Sequence, residues 1–179
     1  MARRRRLVDT DAVDLYVLRH AIAADHGLYA TDAERPLTEE GIARLHQTIA
    51  AWPTLGVEVD LIVSSPYVRA RQTAEIAGKA LGVDVHIDEA LACGARPSEI
   101  LAAVTQRAQA PGRAMVVGHE PDLGAFVAWL TAGGARGSVC MKKAGLAKVI
   151  VSDWREPPYA QLQWLMWPKH MIAIGKATG

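Results

Sequence analysis

Apolar positions along this chain fall into two alternating patterns. Short continuous runs of β-favouring residues occur at 14–19 (DLYVLR), 59–65 (VDLIVSS), 83–87 (VDVHI) and 113–120 (RAMVVGHE). Between them lie stretches whose apolar residues recur every three or four positions, as one face of a helix requires. The first helix opens near Thr38, with Glu39 and Glu40 suited to the positive end of the helix dipole and Ile42, Leu45 and Ile49 on one face. The second follows Ser65-Pro66, read as an N-cap with proline at the first helical position, and Gly82 stops it after Leu81. A third starts near Ser98. A fourth starts at Pro121, has Leu123, Phe126, Val127 and Leu130 as its apolar face, and ends at Gly133-Gly134. Two late strands are expected at 146–151 and 161–167, joined by the turn-rich DWREPPY. So short a connection does not accommodate a helical crossover, so the last strand is expected to be antiparallel.

This alternation predicts an α/β fold: three layers, α/β/α, around a mostly parallel central sheet with an antiparallel edge strand. The 179 residues show no repeat and no linker, so a single domain over 1–179 is expected, with 1–12 as a flexible basic tail. Lysine and arginine number 20 against 19 acidic residues, so no global field argues for a nucleic-acid partner. The Arg3–Arg6 run is read as a solvated tail. Asp9, Asp11 and Asp14 break any apolar leader, and no apolar segment is long enough to span a bilayer. Cys93 and Cys140 lie far apart, with neither metal-type spacing nor a disulfide framework, which points to a reduced, cytoplasmic setting. The six histidines form no ligand pair of the HExxH kind, so neither metal nor cofactor is expected.

The candidate chemistry sits where apolar strands stop. One ends in Arg19-His20, one in Ser64-Ser65 shortly before Arg69, and one in Gly118-His119-Glu120. Parallel strands bring their C-terminal ends to one sheet edge, the usual ligand edge of an α/β sheet. Arg69 falls in the first turn of a helix, near free N–H groups that attract an anion. Arg71, two positions on, points elsewhere. Two guanidiniums and two imidazoles at one edge describe a phosphoryl site.

The quoted stretches LRHA (18–21), RPLTEEG (35–41), SSPYVRARQTA (64–74) and VGHEP (117–121) resemble the histidine phosphatase superfamily, the phosphoglycerate mutase-like proteins. The resemblance covers nearly the whole chain in order and is nearest in flavour to compact SixA-type phosphohistidine phosphatases. Ala21 stands where a glycine usually follows the Arg-His pair. The resemblance implies that His20 is the nucleophile and forms a phosphohistidine intermediate, that Arg19 and Arg69 clamp the phosphoryl oxygens, and that His119 faces the same oxygens. It also implies a carboxylate acid in many members, for which Glu120 and Glu89 are candidates here, Glu120 being equally readable as a helix-start residue. Arg35 is a candidate for substrate binding at the rim or for a salt bridge holding its loop. The implied activity is a phosphatase for a phosphohistidine protein, the alternative being a phosphatase or mutase for small phosphomonoesters, with a non-catalytic phosphate-binding protein as the third reading. Thr73 is read as packing, Trp164, Met166 and Trp167 as core or edge of the last strand, His26, His46, His86 and His170 as surface or structural, and Lys142-Lys143 as a solvated turn.

Overall fold

The computed structural model describes residues 12–107, 112–132, 137, 139–155 and 158–178. The Arg3–Arg6 tail and the Gly133-Gly134 helix end lie outside them. Among the described residues, six strands form one sheet: β1 (Val13–Arg19), β2 (Leu61–Ser64), β3 (Val85–Ile87), β4 (Arg113–Gly118), β5 (Leu146–Asp153) and β6 (Tyr159–Met166), in the order β3-β2-β4-β1-β5-β6. β1, β2, β3 and β4 are parallel, whereas β5 is antiparallel to both β1 and β6. The antiparallel addition at the edge is therefore a hairpin: β5 alone runs against the common direction, and β6 returns along it.

Among the described residues, six α-helices accompany the sheet: α1 (Glu39–Ile49), α2 (Trp52–Leu55), α3 (Val68–Leu81), α4 (Pro97–Thr105), α5 (Asp122–Thr131) and α6 (Pro168–Thr178). The continuous apolar runs of the central strands reflect burial on both faces. Leu15, Val17, Val63 and Val116 pack with Ile100, Val104, Phe126 and Leu130 of α4 and α5. Their strand neighbours Tyr16, Leu18, Ile62, Met115 and Val117 point to the opposite face, against Trp52, Ala70, Ala74 and Met171. This period-2 alternation between two helical layers locks the register, because a one-residue slip would exchange the faces.

Local signals account for most helix starts. Thr38 caps α1 by accepting a hydrogen bond from the Gly41 N–H at 2.9 Å. Gly41 is required there, since a Cβ would stand 2.1 Å from the Ile22 carbonyl oxygen. α1 thus presses on the loop that follows His20. Ser65 does not cap α3, which begins three residues later with Tyr67 at its cap position. The Ser65 hydroxyl instead meets His119 at 2.7 Å. The last strand stops at Met166, and residues 168–178 form α6, a helix the apolar pattern did not announce. α6 packs on α1 and α2, with Gly175 against Ala50 and Ala51.

Candidate active site

The C-terminal ends of β1, β2 and β4 meet at one edge. The paired registers Leu18–Val117, Arg19–Gly118 and Ser64–Val117 place Arg19-His20, Ser64-Ser65 and His119-Glu120 side by side. Over them lies a cleft of about 320 Å³ whose walls include Arg19, His20, Arg35, Arg69, His119 and Glu120. Larger grooves elsewhere on the surface contain none of these six residues. His20 is 6% exposed, Arg69 3% and His119 2%.

His20 is held by its backbone and by its ring. Its N–H bonds the Gly118 carbonyl at 3.1 Å, which ties β1 to β4 at the site. Nδ1 lies 2.7 Å from the Ala21 carbonyl oxygen, an acceptor only, so Nδ1 carries the proton and Nε2 the lone pair. Arg69 Nε–H donates to that Nε2 at 3.3 Å. Burial lowers the pKa of His20 to about 3, with His119, Arg69 and Arg19 pushing the same way. His119 is also lowered to about 3, by burial first and by the Arg69 charge second. Both imidazoles are neutral at pH 7. The rings stand 5.2 Å apart, centroid to centroid.

Two buried nitrogens at the cleft have no hydrogen-bond partner among the described residues: Arg19 Nε and His119 Nδ1. Ser65 meets His119 through Nε2, which leaves Nδ1 as the unpaired ring nitrogen. Buried polar atoms are normally satisfied, so unpaired ones facing cationic neighbours mark a site for an anion. Arg19 is fixed by its Nη1, which donates to the Met141 carbonyl at 2.7 Å.

The segment before β5 completes the site, and the sequence pattern did not reveal it. The Ala144 N–H bonds the Arg19 and His20 carbonyls at 3.1 and 3.0 Å, and the Met141 N–H donates to Glu120 Oε1 at 2.8 Å. Glu120 therefore grips the same peptide segment that holds Arg19. At Gly124 a Cβ would lie 2.1 Å from the Val139 carbonyl, so this glycine lets the segment pack on α5. Thr73 also does more than pack. Its hydroxyl accepts from the Ala21 N–H at 3.1 Å and donates to the Arg69 carbonyl at 2.7 Å, joining the His20 loop to α3.

Asp32 is the other residue that sequence reading left without a role. Its carboxylate meets Arg69 at 2.8 Å and Arg35 at 2.7 Å, and its carbonyl accepts from Arg69 Nη1 at 2.6 Å. Partial burial pushes the Asp32 carboxyl up, but the hydrogen bonds from Arg69 and Arg35 outweigh it and hold the group below the usual carboxylate range. The spacing of Asp32 and Arg35 in DAERP was the available signal. Arg35 combines both expectations for it: it lines the cleft and holds its loop through Asp32 and the Ala24 carbonyl. His26, 3.2 Å from Asp32, and Lys143 also reach the cleft, rather than lying apart from it. Cys93 Sγ is 3.5 Å from Arg69 at the mouth, and burial pushes its thiol up. Glu89 is exposed on a 3-10 turn and does not line the cleft, which removes it from the acid candidates. Arg71 is exposed and pairs with Glu75. Among the described residues, no three His, Cys, Asp or Glu side chains are grouped to hold a metal ion, and no helix is long and apolar enough to cross a membrane.

Known proteins resemble this chain in sequence and in fold. The family model described as Histidine phosphatase superfamily (branch 1) matches residues 15–92. An uncharacterised protein of Picosynechococcus sp. is 38% identical over 136 residues, which cover 75% of this chain and 82% of that one. The structure of the protein histidine phosphatase SixA complexed with tungstate superposes with a TM-score of 0.74 at 25% identity, covering 88% of this chain and 99% of that one. A structure from Nakamurella multipartitia that carries the SixA name gives a TM-score of 0.73 at 26% identity, covering 88% and 96%. The fold is the phosphoglycerate mutase-like one.

Proposed function

The chain belongs to the histidine phosphatase superfamily and is a phosphatase, and we propose that it is of the SixA type, removing the phosphoryl group from phosphohistidine in a protein. In this reading His20 Nε2 attacks phosphorus while the bond from phosphorus to the substrate imidazole breaks. The electron pair of that bond goes to the departing ring nitrogen, which takes a proton from solvent. Water then attacks the phosphorylated His20, releasing inorganic phosphate and restoring the free imidazole. Arg19, Arg69 and His119 supply the donors around the equatorial oxygens, where the developing charge is stabilised. The proposed setting is the reducing cytoplasm, in which Cys93 and Cys140 stay free thiols.

The observation that carries the substrate class is the engagement of two of the cleft's carboxylates. Asp32 is committed to Arg69 and Arg35 and held ionised, and Glu120 is committed to the Met141 N–H. The remaining carboxylate of the wall, Asp25, sits exposed on the rim. A leaving group that needs little protonation suits such a site. An imidazole or a phenol qualifies and a sugar alkoxide does not. General-acid help is worth roughly a hundred- to ten-thousand-fold, so a preference of about that size is expected. We read Glu120 accordingly as a holder of the Arg19 segment and Arg35 as a cationic part of the binding wall.

The deciding experiment compares a phosphohistidine peptide, an aryl phosphate and sugar phosphates as substrates of the wild type and of His20→Ala. The wild type should hydrolyse the first two and leave an acid-labile, alkali-stable phosphoryl adduct, absent from the variant. Faster hydrolysis of sugar phosphates than of the phosphohistidine peptide would assign the enzyme to small phosphoesters.

A further inference from the structure

The sheet end that carries the cleft also carries several lysine side chains. Leu146, at the start of β5, pairs with Leu18 beside Arg19 and with Met166 at the end of β6. Trp167 and the first turn of α6 therefore lie at the same end of the sheet as His20, two strand spacings or about 10 Å across. Lys142 Nζ stands 5.3 Å and Lys169 Nζ 5.2 Å from the Trp167 ring centroid. The ring quadrupole attracts both ammonium groups, which localises charges that would otherwise sweep through solvent. Lys143, adjacent to Lys142, forms part of the cleft wall, so the rim is continuous with the site.

These charges are not held in ion pairs. Among the described residues Lys142, Lys143 and Lys169 have no ion-pair partner, whereas Arg35, Arg69, Arg107, Arg113 and Lys148 all do. The reason is written in the chain: no acidic residue occurs at 137–152 or 159–178, and every acid except Asp153 and Glu156 lies at or before Asp122. In a protein whose charges total 20 against 19, that segregation leaves one positive rim beside the cleft.

We propose that Lys142, Lys169 and Trp167 form a docking rim for an acidic segment of the phosphorylated protein. Resting on the phosphohistidine-protein reading above, this names the feature that selects among such proteins. A small phosphoester held at His20 ends short of Trp167. An extended peptide covers about 10 Å in about three residues, so the carboxylates belong about three positions from the phosphorylated histidine. The attraction is between exposed charges and weakens with salt.

The test uses phosphohistidine peptides of equal length bearing Glu, Ser or Lys three and four positions from the histidine, with an aryl phosphate as a control that cannot reach the rim. At low ionic strength the Glu peptide should show kcat/KM about tenfold above the Ser peptide, and the gap should close near 0.5 M salt, roughly, as screening shortens. Lys142→Ala with Lys169→Ala should abolish the gap while leaving aryl phosphate turnover unchanged. Lys142→Glu with Lys169→Glu should shift the preference to the Lys peptide. Equal rates on all three peptides in the wild type, or a preference that survives both double variants, would overturn the rim. Stronger inhibition by a single-stranded RNA homopolymer than by the unphosphorylated Glu peptide would assign the rim to nucleic acid and overturn it too. Turnover of the aryl phosphate with none of any phosphohistidine peptide would instead defeat the substrate reading, and the rim with it, a result distinct from equal rates.

Discussion

Asp32 binds Arg69 twice, through its carboxylate at 2.8 Å and its carbonyl oxygen at 2.6 Å, and thereby turns the guanidinium so that Nε–H meets His20 Nε2 at 3.3 Å. An exposed loop residue thus aims the clamp at the nucleophile. Asp32→Ala should lower kcat on an aryl phosphate by ten- to a hundred-fold, since small misplacements of positioned groups carry costs of about that order. Asp32→Asn, which can keep the carbonyl bond and one side-chain acceptor, should recover part of it. Unchanged kcat in the alanine variant would mean that α3 alone orients Arg69.

The two arginines of α3 should differ sharply. Arg69 is buried in the cleft and Arg71 is exposed against Glu75. Arg69→Ala should cost about a hundred- to a thousand-fold in kcat and weaken competitive inhibition by vanadate. Arg71→Ala should stay within about twofold, because exposed ion pairs contribute little. Similar losses from both would contradict this division.

Glu120 can be distinguished as holder or acid by its two substitutions. If Glu120 acts by accepting from the Met141 N–H, Glu120→Gln keeps an acceptor and should retain most activity. Glu120→Ala frees the segment that holds Arg19 and should weaken vanadate binding. A proton donor would give the opposite signature: Gln as damaging as Ala, with the basic limb of the pH–rate profile removed.

The two histidines set an acid dependence of stability. Both ionise at about 3 in the fold, against about 6.5 in the unfolded chain. Between those values the unfolded chain binds the extra protons, so stability is complete above 6.5 and falls as pH drops toward 3. The slope is up to about 1.4 kcal/mol per pH unit for each imidazole. Thermal unfolding followed from pH 7 to pH 4 should show Tm falling less steeply in His119→Gln than in the wild type. Parallel curves would show that His119 is not buried neutral. The same depression keeps His20 unprotonated, so the acid limb of kcat/KM should not track an imidazole near 6.5.

Much of this was open to the sequence alone. Strands buried on both faces must be continuous apolar runs, so β1, β2 and β4 stood out, and a parallel sheet must gather their ends. The sequence alone therefore places Arg19, His20, Arg69 and His119 together. α1 was equally legible, because Thr38 and the two glutamates are local signals that act within one helical turn. The chain also carries motifs of the histidine phosphatase superfamily in order.

What only the tertiary structure decided are the contacts between residues distant along the chain. Asp32 and Arg69 stand 37 positions apart, and Arg19 and Met141 stand 122 apart. No local propensity encodes either pair, since each depends on where a loop comes to rest on the folded sheet. Ser65-Pro66 reads locally as a helix start, but α3 begins only at Val68, and the Ser65 hydroxyl meets the His119 ring and accepts from the Tyr67 N–H. α6 has a weak apolar face of Met171 and Ile174, which becomes a helix by docking on α1 and α2 rather than by its own pattern. Local chemistry determined the elements and the strand-end residues; long-range packing chose which side chains hold them in position.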